Sequence, residues 1–151
     1  MTRVAVFVAT YFSFEHELNT LCKRVREGNN ISLAVRDLNH KGIVACKIYL
    51  KKACGIAFPD DMQEWCRIKQ YNKIRNLLVH SDAIVGPRSD GDNKTDTDKL
   101  YDFVDAQAEI EIDDDSKLQL LQGFCEMVLD DIQAFHSALL KQIETNLPDK
   151  A

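Results

Sequence analysis

Apolar side chains recur every three or four residues along two long stretches, one near each end of the chain. In the first stretch, roughly residues 3–27, they stand at Val4, Phe7, Tyr11, Phe14, Leu18, Leu21 and Val25. In the second stretch, about residues 121–146, they stand at Leu121, Phe124, Val128, Ile132, Phe135, Leu139 and Ile143. This spacing places apolar residues on one face of a helix. We therefore predict a long helix at each end, and Gly28 with the two asparagines after it ends the first.

Shorter segments between these helices alternate with turns. Residues 31–38 suggest a short helix, and residues 43–53 return to helical spacing after the turn that ends at Gly42. A further helix over about residues 61–80 follows Pro59, with acidic residues in its first turn, where the helix dipole favours them. Residues 86–98, with the sequence GPRSDGDNKTDTD, are predicted to be a turn-rich acidic loop.

One segment has the alternation of a strand rather than the period of a helix. In residues 108–120, Ile110 and Ile112 face one way, and an acidic turn separates them from Leu118 and Leu120. This pattern predicts a small β-hairpin directly before the last helix. The sequence as a whole predicts a mainly α fold, a compact bundle of four or five helices with that hairpin. At 151 residues we expect one domain, residues 1–151.

Composition favours a soluble cytoplasmic protein. Apolar residues make up 45% of the chain and charged residues 28%, which is ordinary for a globular domain. The five cysteines form no C-x-x-C pair and are odd in number, so we expect reduced thiols rather than a disulfide framework. The apolar run over residues 4–14 is far shorter than the roughly 20 residues that a bilayer span needs. We therefore expect a cytoplasmic location and no membrane association.

The net charge of −5 conceals an uneven distribution along the chain. Residues 20–80 carry twelve Lys and Arg against five Asp and Glu, whereas residues 90–131 carry fourteen acids against three lysines. An acidic protein is ordinarily a poor partner for a polyanion. Here the basic half contains the helix of residues 61–80, and this permits a phosphate-rich ligand at that helix.

The end of the 61–80 helix contains charged residues in an unusual place. On a helical wheel with about 100° per residue, Arg75 lies within the apolar face that Tyr71 and Leu78 share, and His80 lies roughly 140° around from it. An arginine on an apolar face is costly unless its five donors find partners, because the guanidinium cannot shed its charge. For Arg75 alone, an ion pair with Glu15, Glu17 or Asp37 would be a sufficient explanation. His80 in a last helical turn is also favoured by the helix dipole.

Taken together, Arg75-Asn76-x-x-x-His80 resembles the R-x-x-x-x-H signature of HEPN domains, in the form with asparagine after the arginine. Those domains are helical bundles of about this length, and their motif lies toward the end of a long helix. The resemblance implies a metal-independent endoribonuclease, built as a homodimer that brings two motifs into one cleft. It also suggests a setting of phage defence or stress response. The Ser81-Asp82 pair after the histidine departs from family toxins that carry a tyrosine two residues after it.

The residue types fit that chemistry. His80 can exchange a proton at neutral pH as general base or acid, and Arg75 can brace phosphate oxygens. Asn76 can orient either residue or bind a base edge, and the expected product carries a 2′,3′-cyclic phosphate. Because Arg75 and His80 diverge around one helix, a second copy of the chain would complete the site. RNA and a second copy are therefore the expected partners.

No cofactor or metal is expected. The remaining histidines stand in none of the usual metal-binding spacings, and glycine-rich phosphate loops are absent from the sequence. Two alternatives to the enzyme stay open at this point. One is a non-catalytic HEPN-like module for nucleotide or RNA binding or for dimerisation. The other is a helical adaptor in which Arg75 pairs with an acid and His80 is dispensable.

Overall fold

Helices account for most of the chain in the computed structural model, which describes residues 2–147. The α-helices in that range are α1 (Arg3–Gly28), α2 (Gly42–Ile48), α3 (Gln63–His80), α4 (Asp96–Asp105) and α5 (Phe124–Asn146). Strands β1 (Ile110–Ile112) and β2 (Leu118–Leu120) pair antiparallel, with Glu111 opposite Gln119. The prediction of a mainly helical bundle with a small hairpin before the last helix is therefore confirmed.

The helix predicted over residues 31–38 is wrong. The segment contains only one 3₁₀ turn, Val35–Asp37. The guanidinium of Arg26 donates to the carbonyl oxygens of Ile31 at 3.1 Å and Ser32 at 3.0 Å. These carbonyl oxygens thus accept hydrogen bonds from a side chain of α1 instead of from the backbone amides of a helix. The helical spacing of residues 43–53 is confirmed, although α2 passes after Ile48 into a single π-helical turn, Tyr49–Ala53.

The sequence pattern does not predict α4, because it indicates a loop over the whole of residues 86–98. The helix begins at Asp96 with a reciprocal capping box. The Thr95 hydroxyl oxygen accepts from the Asp98 amide at 3.1 Å, and the Asp98 carboxylate accepts from the Thr95 amide at 2.9 Å. Backbone amides of Thr95 and Ser89 that donate to Asp98 lower the pKa of this carboxyl below its ordinary value.

The described chain packs as two units, and the first comprises residues 2–11 and 63–131. Its core holds four aromatic rings that meet edge to face. The centroids of Phe7 and Phe124 are 5.2 Å apart, and Tyr71 lies 5.9 Å from both Phe103 and Phe124. Edge-to-face pairs of this kind add to the stabilisation from apolar burial. This packing fixes α3 by its middle turns.

A partly buried ion pair also connects α3 with α5 in this unit. Arg67 donates two hydrogen bonds to Asp131, from Nε at 2.8 Å and from an Nη atom at 2.7 Å. The Tyr71 hydroxyl donates to the same carboxylate. Burial, followed by this hydrogen bond, raises the pKa of Tyr71, and the hydrogen bonds with Asp131 raise the pKa of Arg67. Tyr71 therefore stays neutral and Arg67 stays positively charged at neutral pH.

The second unit comprises residues 12–62 and 132–147. Its core contains Phe14, Phe58 and Phe135, with Phe58 and Phe135 centroids 5.3 Å apart. The Tyr49 hydroxyl donates to the Leu33 carbonyl at 2.6 Å, and burial raises the pKa of Tyr49 to about 12. Across both units, all five cysteines are free thiols, in agreement with the prediction of reduced thiols. Cys22 and Cys46 are buried, whereas Cys66 is exposed. Among residues 2–147, no helix is both long enough and apolar enough to cross a bilayer.

Candidate functional site

Arg75 lies in the second-last turn of α3, and its side chain is partly buried. Its Nη1 atom donates to the Asn76 side-chain oxygen at 2.8 Å. Its Cζ atom lies 6.0 Å from the centroid of the Tyr11 ring, within the range of a cation–π contact. These two contacts leave most of the five guanidinium donors available to a ligand.

Tyr11 holds this part of α3 from the first helix. The residue is 1% exposed, and its hydroxyl donates to the Asn72 side-chain oxygen at 2.7 Å. Asn72 precedes Arg75 by one turn of α3, so the tyrosine contacts two successive turns of that helix. Tyr11 thereby restricts where the guanidinium can go. The sequence pattern places Tyr11 in the apolar stripe of the first helix but does not indicate this contact, because nothing in a linear pattern pairs Tyr11 with Asn72.

No acid neutralises Arg75 within the described part of the chain. The ion pairs of residues 2–147 include other arginines, such as Arg67 with Asp131 and Arg88 with Asp102, but not Arg75. Within its own unit, described over residues 2–11 and 63–131, Arg75 has no carboxylate partner. The adaptor alternative requires an ion pair of Arg75 with an acid, and no acid of this unit provides it.

His80 is the last residue of α3, and its side chain is exposed. Within residues 2–147 the imidazole forms no hydrogen bond or ion pair, either with Arg75 and Asn76 or with any other residue. The structure thus joins Arg75 and Asn76 by a hydrogen bond, and His80 forms no hydrogen bond with either of them. An imidazole without an orienting partner is not positioned for proton transfer by this chain alone.

The chain turns sharply after His80. The amides of Ser81 and Ala83 both donate to the Leu77 carbonyl, at 3.0 and 2.9 Å, as in the usual helix-ending motif. Asp82 and Ala83 have φ of 52° and 65°, in the left-handed region that costs residues other than glycine energy. The helix therefore ends at His80, where the sequence predicts its end.

The strained turn is fixed by the hairpin. Leu118 donates from its amide to the Ala83 carbonyl at 2.9 Å, and Val85 donates to the Ser116 carbonyl at 2.8 Å. An isolated antiparallel β-bridge between Ile84 and Lys117 lies between these two hydrogen bonds. The segment after His80 is therefore paired with β2, which gives the end of α3 a fixed support.

Apolar side chains are exposed on both sides of His80 in the sequence. Val79 is 48% exposed and Ile84 is 42% exposed, while Leu77 and Leu78 are partly buried. We call Val79 and Ile84 the apolar pair. Single exposed apolar residues are common on protein surfaces, but two that flank the histidine of the motif are consistent with a contact surface at this end of α3.

Comparison of the chain with protein-family models, with curated protein sequences and with solved structures finds no match. The HEPN resemblance therefore stays a prediction that rests on the motif residues Arg75, Asn76 and His80.

Proposed function

We propose that this chain is a metal-independent endoribonuclease that cleaves RNA to 2′,3′-cyclic phosphate ends. In this proposal two copies of the chain form a homodimer, and Arg75, Asn76 and His80 of both copies line one cleft. The wider HEPN resemblance extends the proposal to a cytoplasmic role in phage defence or stress response.

The state of Arg75 is the observation that carries the proposal. Arg75 is partly buried, has no carboxylate partner among residues 2–147 and uses one of its donors in the hydrogen bond to Asn76, so most of its donors remain available. An anionic ligand would supply the missing partner. Phosphate is suited to this role, because two of its oxygens can accept parallel hydrogen bonds from the planar guanidinium. The Tyr11 ring and the Asn76 oxygen hold the group in place before a ligand arrives.

The proposed reaction assigns one role to each residue of the motif. His80 removes the proton from a ribose 2′-hydroxyl, or returns a proton to the departing 5′-oxygen. The 2′-oxygen then attacks the adjacent phosphorus while the bond to the 5′-oxygen breaks, which leaves a cyclic phosphate and a 5′-hydroxyl. Arg75 stabilises the negative charge on the phosphate oxygens during the attack. Asn76 orients Arg75 through the hydrogen bond between their side chains.

A second copy of the chain accounts for the isolation of His80. Arg75 and His80 diverge by about 140° around α3, and one helix therefore presents them in different directions. A twofold axis near the end of α3 would place the histidine of one copy beside the arginine of the other. The apolar pair, Val79 and Ile84, would lie in the contact that such an axis creates.

The choice of substrate provides the test. We expect the purified protein, in excess EDTA, to cleave single-stranded RNA and to leave single-stranded DNA of the same sequence intact, because DNA lacks the attacking 2′-hydroxyl. Gel electrophoresis of the two oligonucleotides after incubation measures the difference. Cleavage that requires added Mg²⁺ or that affects both polymers equally would contradict the proposal. RNA binding without cleavage would instead favour the alternative of a non-catalytic HEPN-like binding module.

A further inference from the structure

A cavity of about 240 Å³ opens beside the motif, between α3 and the start of α4. It lies wholly within the first unit of the structure. Its lining consists of Lys73, Asn76, Leu77, Asp96, Thr97 and Leu100. Asn76 and Leu77 precede His80 by four and three residues, one helical turn, and therefore lie on the same side of α3 as the histidine. A molecule in this cavity would be a close neighbour of the proposed catalytic group.

The polar groups of the cavity supply one donor and one charged acceptor, and the Asp96 side chain is 82% exposed. Asn76 already accepts the Arg75 hydrogen bond with its side-chain oxygen, so its amide nitrogen remains as a donor for a ligand. The Asp96 carboxylate lies 3.5 Å from the Lys73 ammonium at the rim, and its oxygens have further capacity to accept. Leu100 is buried and Leu77 partly buried, and they give the cavity apolar walls.

We propose that this cavity binds a guanine base of the RNA substrate, an inference that rests on the proposed ribonuclease function. The Watson–Crick edge of guanine presents one acceptor, O6, beside two donors, the N1 and N2 hydrogens. The Asn76 amide nitrogen donates to O6, and the Asp96 carboxylate accepts from both donors. Leu77 and Leu100 contact the faces of the ring. Single-stranded RNA is ordinarily read on such splayed bases by hydrogen bonds and by contacts with the ring faces.

Other ligands satisfy the same groups less well. Adenine places a donor where guanine has O6, opposite the Asn76 amide nitrogen, and it has no donor for the Asp96 carboxylate at N1. Uracil offers the carboxylate one N–H instead of two. A phosphate would be attracted by Lys73 but repelled by Asp96, and Lys73 is already paired with that acid. The carboxylate is therefore the group that distinguishes guanine from the alternatives.

Binding to RNA that cannot be cleaved tests the cavity apart from catalysis. Four labelled 2′-O-methyl hexamers, identical except for guanine, inosine, adenine or uracil at one position, are titrated with the protein and followed by fluorescence anisotropy. We expect guanine to bind about tenfold more tightly than adenine, since one good bidentate base contact gives discrimination of this order. Inosine, which lacks the N2 donor, is expected between the two.

Asp96→Asn is expected to remove the guanine preference, because an amide cannot accept from both donors. Asp92→Asn is the matched control: it removes the same charge from the exposed loop outside the cavity and should keep the preference. Equal affinity for guanine and adenine, no binding of any hexamer, or a preference that survives Asp96→Asn would overturn the inference. If the protein binds guanine selectively but leaves natural RNA intact, the guanine site is supported and the proposed ribonuclease activity is contradicted. If it cleaves RNA without any base preference, the ribonuclease activity is supported and the guanine site is contradicted.

Discussion

Asp131→Ala is expected to lower the free energy of unfolding by about 3 kcal/mol, the low end of the range for a broken buried ion pair. The carboxylate is 8% exposed and accepts both hydrogen bonds from Arg67 together with that of the Tyr71 hydroxyl. Its removal leaves a guanidinium and a buried hydroxyl without their acceptor. The value is at the low end because the Arg67 side chain is 28% exposed and can be partly rehydrated.

Urea unfolding at neutral pH measures this effect, and Asp130→Ala provides the matched control. Asp130 is the neighbouring acid on α5, is exposed, and forms no ion pair within residues 2–147. Its replacement should change the free energy of unfolding by less than about 0.5 kcal/mol. Equal effects of the two substitutions would mean that the Arg67–Asp131 pair does not hold α3 in place.

His80→Ala is expected to slow RNA cleavage by about 10²- to 10⁴-fold, the usual contribution of a general acid or base. The same change should leave stability nearly unaltered, because the exposed imidazole forms no hydrogen bond or ion pair with the described residues. Initial rates on a single-stranded RNA in excess EDTA give the comparison, together with a thermal unfolding curve for each protein.

His40→Ala is the control for this substitution, since it removes another exposed histidine, far from the motif in the sequence. We expect its cleavage rate to match that of the unmodified protein. A His80→Ala variant that cleaves RNA as fast as the His40→Ala variant would remove His80 from the mechanism.

The long helices could be predicted because each has its own repeating pattern. The stripes of α1 and α5 continue over more than five turns, and the buried positions Phe7, Phe14 and Phe135 belong to them. Helix α4 was missed because it starts within a run of aspartates that is typical of a loop. Its two buried apolar residues, Leu100 and Val104, make too short a stripe to outweigh that composition. The one signal in the sequence for the start of α4 is the spacing of Thr95 and Asp98, which is that of a capping box.

The candidate site could be predicted in part. The spacing of Arg75, Asn76 and His80 is a local feature, and the position of Arg75 on the apolar face follows from helix geometry alone. The groups that support Arg75 come from elsewhere in the chain. The Tyr11–Asn72 hydrogen bond joins residues 61 positions apart. Likewise, no pattern distinguishes Asp131, which pairs with Arg67, from the many solvated acids around it. Such partners become visible only when the helices are packed.

The chemistry of the fragment ends tests the central claim most directly. The purified protein is incubated with a defined single-stranded RNA in excess EDTA, and the fragments are analysed by mass spectrometry. The proposed mechanism predicts 2′,3′-cyclic phosphate on the upstream fragments and a 5′-hydroxyl on the downstream fragments. Fragments that end in a 3′-hydroxyl and a 5′-phosphate, or RNA that stays intact, would contradict it.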